Sequence, residues 1–349
     1  MNTSEQTPER KQVRPVSETT IRRSRSRRQV LGAAIAAGLL AVAGCSSGGD
    51  ATEEPGGNGG EGADGDVTIG VVLKTLNSPF WQRVSGGAEE GAEEAGVTIT
   101  LAGATQESNI QEQIDKVRAA ITQQVDALLV APTAADQLQP VLQEAVDAGI
   151  PVLLVDTNMP NWDGAETFIG TDNVEAGRQG GEFILSQSDT GKIAFIAGVP
   201  GNPSTDDRVT GAKEAIEGSG IEIVAELNAN SDRADARAAM ADILQANPDL
   251  TMVFCANDDM ALGAIEAIKA AGKDPGEMVI VGVDGNSDAV ESIIAGELTA
   301  SVAQNPENMG KEGVLSAKAF LDGEAIEERI DTGTTLVEAS NAEEYLADQ

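Results

Sequence analysis

The sequence predicts an α/β protein of two doubly wound parallel-sheet lobes, because short apolar runs alternate with longer amphipathic segments and the whole alternation occurs twice. Runs such as Val152 to Val155 are apolar at every position, as strands covered by helices on both faces must be. Val67 to Leu73, Val97 to Leu101, Ala127 to Ala131 and Val152 to Val155 read as four strands. Between them, Phe80 to Ala95, Ile110 to Gln124 and Leu138 to Ala148 place apolar residues three and four apart, the helical period. The second set has strands at Ile193 to Ala197, Ile221 to Ala225, Met252 to Cys255 and Val279 to Val283, with helices near 206–218, 233–246 and 259–271.

Ahead of this region stands an export-like leader. Eight of the 23 Lys and Arg fall in the first 30 residues, ending in Arg27-Arg28, and the apolar stretch Leu31 to Ala43 comes next. That stretch is too short to span the roughly 30 Å of bilayer hydrocarbon, so a removable signal of twin-arginine type is expected over residues 1–44. Leu40-Ala41-Val42-Ala43-Gly44-Cys45 resembles a lipoprotein lipobox, which implies a lipid on Cys45 and a membrane anchor. Residues 45–66, rich in Gly, Ser, Asp and Glu, read as a flexible tether.

Composition excludes several functions. The 349 residues contain no His, which removes Ser-His-Asp and Cys-His catalysis and His-ligated metals. With eight of 23 basic and three of 57 acidic residues ahead of Cys45, the remainder carries a net charge of −39, and a nucleic-acid partner is not expected. So acidic a surface is the habit of proteins in high salt, and equally of an ordinary solvated face. No Asp-x-Asp-x-Asn-Gly calcium loop and no glycine-rich nucleotide fingerprint is present, so neither metal nor cofactor is expected.

Ligands of open parallel sheets sit beyond the carboxyl ends of the strands, and here those ends are polar: Lys74 to Trp81, Asp156-Thr157-Asn158, Asn257-Asp258-Asp259, Asp284-Gly285-Asn286 and Gln304-Asn305. Asp156, Arg208, Asn257, Asp284 and Gln304 supply planar paired donors and acceptors that match adjacent hydroxyls, and Phe80-Trp81 supplies rings for a sugar's C–H face. Asp258 reads as the cap of its helix, with Asn286 a candidate cap for the next. Trp162 is either a further ring or an exposed loop residue, and Cys255 a small buried hydrophobe.

Lys74-Thr-Leu-Asn-Ser-Pro-Phe-Trp81, Gly170-Thr-Asp-Asn-Val174, Cys255 to Gly263, Val281-Gly-Val-Asp-Gly285 and Val302-Ala-Gln-Asn-Pro306 together resemble the periplasmic ribose-, allose- and galactose-binding proteins of ABC importers, the allose type above all. The resemblance implies a type I periplasmic binding protein fold, with lobes at 67–171 plus about 305–333 and at 172–304 plus about 334–349. It puts three hinge segments near Thr171-Asp172, Gln304-Asn305 and Thr332 to Thr335. It implies Lys74, Ser78, Phe80, Trp81, Asp156, Arg208, Asn257, Asp284 and Gln304 as ligand-binding residues for a monosaccharide. A monomeric, non-enzymatic lipoprotein on the outer face of the cytoplasmic membrane, delivering a pentose or hexose to permease subunits, is the expectation, with a sugar or furanosyl-signal sensor for a membrane receptor as the alternative. Thr157 and Ser231 stand where the family has an arginine and an aromatic wall, which leaves the sugar open.

Overall fold

A computed structural model describes residues 67–349; the expected leader, Cys45 and the tether lie outside the described residues. The first sheet contains β1 (Thr68–Thr75), β2 (Thr98–Ala104), β3 (Ala127–Val130), β4 (Val152–Val155) and β5 (Ala165–Gly170), with α1 (Pro79–Ala95), α2 (Ile110–Gln123) and α3 (Ala135–Asp147) between the first four. The second region runs α4 (Asn173–Gln187), β6 (Thr190–Ala197), α5 (Pro203–Ile216), β7 (Gly220–Asn228), α6 (Arg233–Ala246), β8 (Met252–Cys255), α7 (Asp258–Ala270), β9 (Val279–Asp284), α8 (Ser287–Ile294) and β10 (Ala300–Ala303). The chain then returns through α9 (Pro306–Asp322) and β11 (Arg329–Asp331) to β12 (Thr335–Glu338) and α10 (Ala342–Ala347).

The two sheets have the same strand order, β11-β5-β4-β3-β1-β2 and β12-β10-β9-β8-β6-β7. All pairings are parallel except that of β12 with β10. β3, β4 and β8 are buried at every residue, the reason their apolar runs are unbroken. The chain passes between the sheets three times: after β5, after β10 and after β11. α9 packs on α1 and covers β3, β4 and β5, while α4 packs on α5 and lies against β8, β9 and β10.

β2 continues three residues past its predicted end, because Ala102, Gly103 and Ala104 still pair with β1. The segment β5–α4 carried no apolar signature. Gly177, Gly180 and Gly181 lower the helical propensity of α4, yet they are what lets it exist in this position. A Cβ at Gly177 would stand 2.0 Å from the Arg208 carbonyl oxygen, and one at Gly211 would stand 1.9 Å from that of Val174. α1 and α9 meet in the same way, through Gly87 against Glu307 and Gly310 against Val84. Each lobe thus closes at least one helix pair on backbone-to-backbone contact.

The adjacent glycines of α1 should therefore respond oppositely to a methyl group. A Cβ on Gly86 would have nothing within 4 Å, so Gly86→Ala is expected to stabilise by about 0.5–1 kcal/mol. Gly87→Ala would put its Cβ 1.9 Å from the Glu307 carbonyl oxygen and is expected to destabilise by about 3 kcal/mol. Urea unfolding of both variants measures the difference, and equal midpoints would contradict the helix contact. Cys255 is fully buried at the end of β8, where burial pushes its thiol far above the ordinary range. It should react with a disulfide reagent only after denaturation.

Candidate binding site between the lobes

β4 and β9 hold the same place in their sheets, and each has an aspartate of positive φ at its carboxyl end: Asp156, directly after β4, at φ 63° and Asp284, the last residue of β9, at φ 131°. Such conformations cost about 1–3 kcal/mol in a non-glycine residue and persist where surrounding contacts enforce them. Here they turn both carboxyls away from their strands and into the space between the lobes.

Arg208, on α5, joins the two. Its guanidinium lies 3.1 Å from Asp284 Oδ1 and 3.9 Å from Asp156 Oδ1. It also donates to the Ala256 carbonyl at 2.9 Å and to Asn173 Oδ1 at 2.8 Å. Lys74, at the end of β1, pairs with Asp156 Oδ2 at 2.8 Å and reaches across the cleft to Ser204 Oγ at 2.9 Å. Thr157 donates to Asp156 at 2.6 Å, and Gln304 donates to Asp284 at 2.7 Å. Burial alone would raise Asp156, but the facing charges of Lys74 and Arg208 hold its carboxyl below the usual range. Asp284 goes the other way: burial, with repulsion from Asp258 added, keeps it well above that range despite Arg208.

Eight of the nine residues nominated from the sequence line one cavity, together with Glu107, Ser204, Thr205 and Ser231. The free space is about 20 Å³, room for about one water in this arrangement of the lobes. Gln304 is the exception. It touches the cluster through Asp284 and lines a separate cavity of about 450 Å³ beside the second and third crossings of the chain between the sheets. Phe80 and Trp81 belong both to the core and to the cavity wall, in edge-to-face contact with centroids 5.0 Å apart. The Trp81 Nε1–H donates to Glu107 Oε1 at 2.6 Å, and Lys74 Nζ lies 5.3 Å from the Trp81 ring centroid.

Two sequence-based expectations need correction, and one residue was missed. Asn257, not Asp258, caps α7, accepting from Met260 N at 2.9 Å, so its amide is partly committed before any ligand. Asp258 instead accepts from Ser301 Oγ at 2.7 Å and Asn286 N at 2.8 Å, because it points back onto β10. Trp162 is neither a cleft ring nor an exposed loop residue; it packs into the first lobe and donates to Gln143 at 3.1 Å. Glu107 was missed, although it lies just beyond the carboxyl end of β2 and the same strand-end rule applied there would have found it.

Asp258 is pushed up to about 6 by burial, and Asp259 to about 7 by burial and by repulsion from Asp288 and Asp258. An unfolded aspartate titrates near 3.9, so both hold a proton more tightly when folded. Their contribution to stability is fully present below about pH 4 and is lost as pH rises through 6 to 7. Asp259→Asn should raise the melting temperature at pH 8 and leave it unchanged at pH 4; thermal unfolding across that range reads the difference.

Residues 69–325 match the family model described as periplasmic binding protein domain. A ribose import binding protein of Bacillus subtilis is 35% identical over 266 residues, which cover 76% of this chain and 85% of the relative. The D-allose-binding periplasmic protein of Escherichia coli is also 35% identical, over 73% of this chain and 83% of its own. Among solved structures, an ABC transporter solute-binding protein from Agrobacterium vitis with bound D-fucose is 37% identical with a TM-score of 0.75, covering 78% of this chain and 96% of that one. With two predominantly parallel sheets, a strand-end cleft between them and relatives that bind rather than transform their ligands, the chain belongs to the periplasmic binding protein family.

Proposed function

We propose that this protein is an exported lipoprotein that captures a neutral monosaccharide, a pentose or hexose, between its two lobes and hands it to an ABC-type importer. The observation that carries the reading is the convergence of Asp156 and Asp284, from equivalent strands of the two lobes, on one arginine. Lys74 and Arg208 face the carboxyls of Asp156, Asp284 and Glu107 in one small space, so the cleft offers paired donors and acceptors of the kind adjacent hydroxyls use. The Phe80-Trp81 wall supplies the apolar face that a sugar ring needs. The relatives named for ribose and allose support the same ligand class.

Lys74 to Ser204 and Arg208 to Asp156 are direct contacts between the lobes. A sugar ring does not fit the 20 Å³ they leave, so it enters with the lobes apart and then takes over these hydrogen bonds on closure. Binding thereby shifts an equilibrium between open and closed forms, and closure sets the spacing of the two lobe surfaces that a permease reads. Bending would be confined to the three crossings at Thr171-Asp172, Gln304-Asn305 and Thr332 to Thr335. Lipid on Cys45 would hold the folded part at the outer face of the membrane, with residues 46–66 as the tether.

Arg208→Ala and Asp284→Ala should each weaken binding by about 100-fold or more, since each leaves a buried partner unpaired. Calorimetric titration with D-ribose, D-allose and D-galactose reads the loss, with far-ultraviolet circular dichroism as the check that the fold persists. Unchanged affinity in both variants would overturn the site.

A further inference from the structure

The Trp81 ring, part of the apolar wall of the cavity, is held at three points. Phe80 meets it edge to face, Lys74 Nζ stands 5.3 Å from its centroid, and its nitrogen donates to Glu107 Oε1 at 2.6 Å. That last distance is short for an N–H···O hydrogen bond. An indole has a single polar donor, at its edge, so the partner of that donor decides how the ring is turned about its own axis. Packing against Phe80 places the ring; Glu107 orients it.

Glu107 is itself held from a distance. It lies in the short segment Thr105 to Asn109 between β2 and α2. The Glu112 carboxylate, in the first turn of α2, gathers both ends of that segment: it accepts from Thr105 N at 2.9 Å, Thr105 Oγ1 at 2.8 Å and Asn109 Nδ2 at 3.0 Å. Asn109 in turn accepts from Glu112 N at 3.3 Å, and the Thr105 carbonyl accepts from Asn77 at 2.9 Å. A loop tied at both ends presents its middle residue in one place. The neighbouring Gln113, fully buried, donates to the Leu73 and Ala131 carbonyls and accepts from Thr133 N. The same helical turn therefore also fixes the strand end that carries Lys74.

Across the cleft, the Ser231 hydroxyl of the second lobe faces the Glu107 carboxyl, and both residues line the cavity. We infer that Glu107 is a positioning residue of the sugar site: it orients the Trp81 ring on which the sugar packs and meets Ser231 when the lobes close. This inference rests on the sugar reading above. One side chain thus sets the apolar wall of the first lobe and receives a group of the second, so the wall is in its working orientation in the closed form. Glu107 acts through Trp81, and Glu112 acts through Glu107.

The test is calorimetric titration of the full chain with D-ribose, D-allose and D-galactose, alongside proton magnetic resonance of the indole N–H groups, in which Trp81 is the signal that Trp81→Phe removes. For a sugar that binds, Glu107→Ala should weaken affinity about tenfold, and Glu107→Gln, which keeps an acceptor for the indole, should stay within about threefold of the unaltered chain. Before any sugar is added, the Trp81 signal should move upfield in Glu107→Ala and stay near its place in Glu107→Gln. The Trp162 signal, from an indole bonded to Gln143 inside the first lobe, should not move in either variant and shows that the lobe remains folded. Unchanged affinity in Glu107→Ala, or weakened affinity with the Trp81 signal unmoved, would overturn this inference and leave the sugar reading standing. Equal losses in the two variants would do the same. Absence of heat with all three sugars in the unaltered chain would overturn the sugar reading, and this inference with it.

Discussion

Arg208 is the side chain on which the arrangement turns, since among the described residues it alone reaches the strand-end carboxyls of both lobes. Its position is not set by its charge. α5 is seated on α4 by glycines at the crossing, and the carbonyl that Gly177 admits is that of Arg208 itself. A methyl group at that point would shift the backbone carrying the guanidinium, and hydrogen bonds of 2.8 to 3.1 Å tolerate little displacement. Helix packing and the charge network between the lobes therefore share one residue. The left-handed turns at Asp156 and Asp284 are the complementary half, because they aim the carboxyls at the place where α5 delivers the cation.

The central strands and strand-end polar groups were legible in the sequence for a simple reason. A parallel strand buried on both faces leaves an unbroken apolar run, and the residues just beyond that run stand at the mouth of the sheet. The glycine-rich α4 was not legible, because its glycines answer to a helix on another part of the chain and oppose the local propensity. The cap of α7 fell to Asn257 and not to Asp258 for a related reason. Either can cap a helix by composition, and only the nearness of Ser301 and Asn286 decides which does. Whether Trp162 meets a ligand or the core depended on a contact with Gln143, 19 positions away and not marked by any pattern.

The charge of the molecule is distributed unevenly in kind as well as amount. Of the 15 Lys and Arg among the described residues, 13 pair with a carboxylate, and Arg237 and Lys273 do not. The acidic excess is thus met by few free cations, and solvent and dissolved salt supply the rest of the screening. Surface pairs of this sort contribute about 0–1 kcal/mol each, so their number is no measure of stability. The buried set around Asp156 is different, since removing one member leaves the others in low dielectric without compensation.

The three passages of the chain between the sheets also constrain how the molecule is made. α9, which covers β3, β4 and β5, and β11, which edges β5, both come after the whole run from α4 to β10. A growing chain therefore presents the first sheet with one face incompletely covered while the second lobe is still being synthesised. Assembly of the first lobe waits on contacts of long sequence separation, a topology that slows folding and prolongs the exposure of apolar strands. The chain crossings that stitch the two sheets together are thus the ones that prevent the lobes from being born as separate bodies.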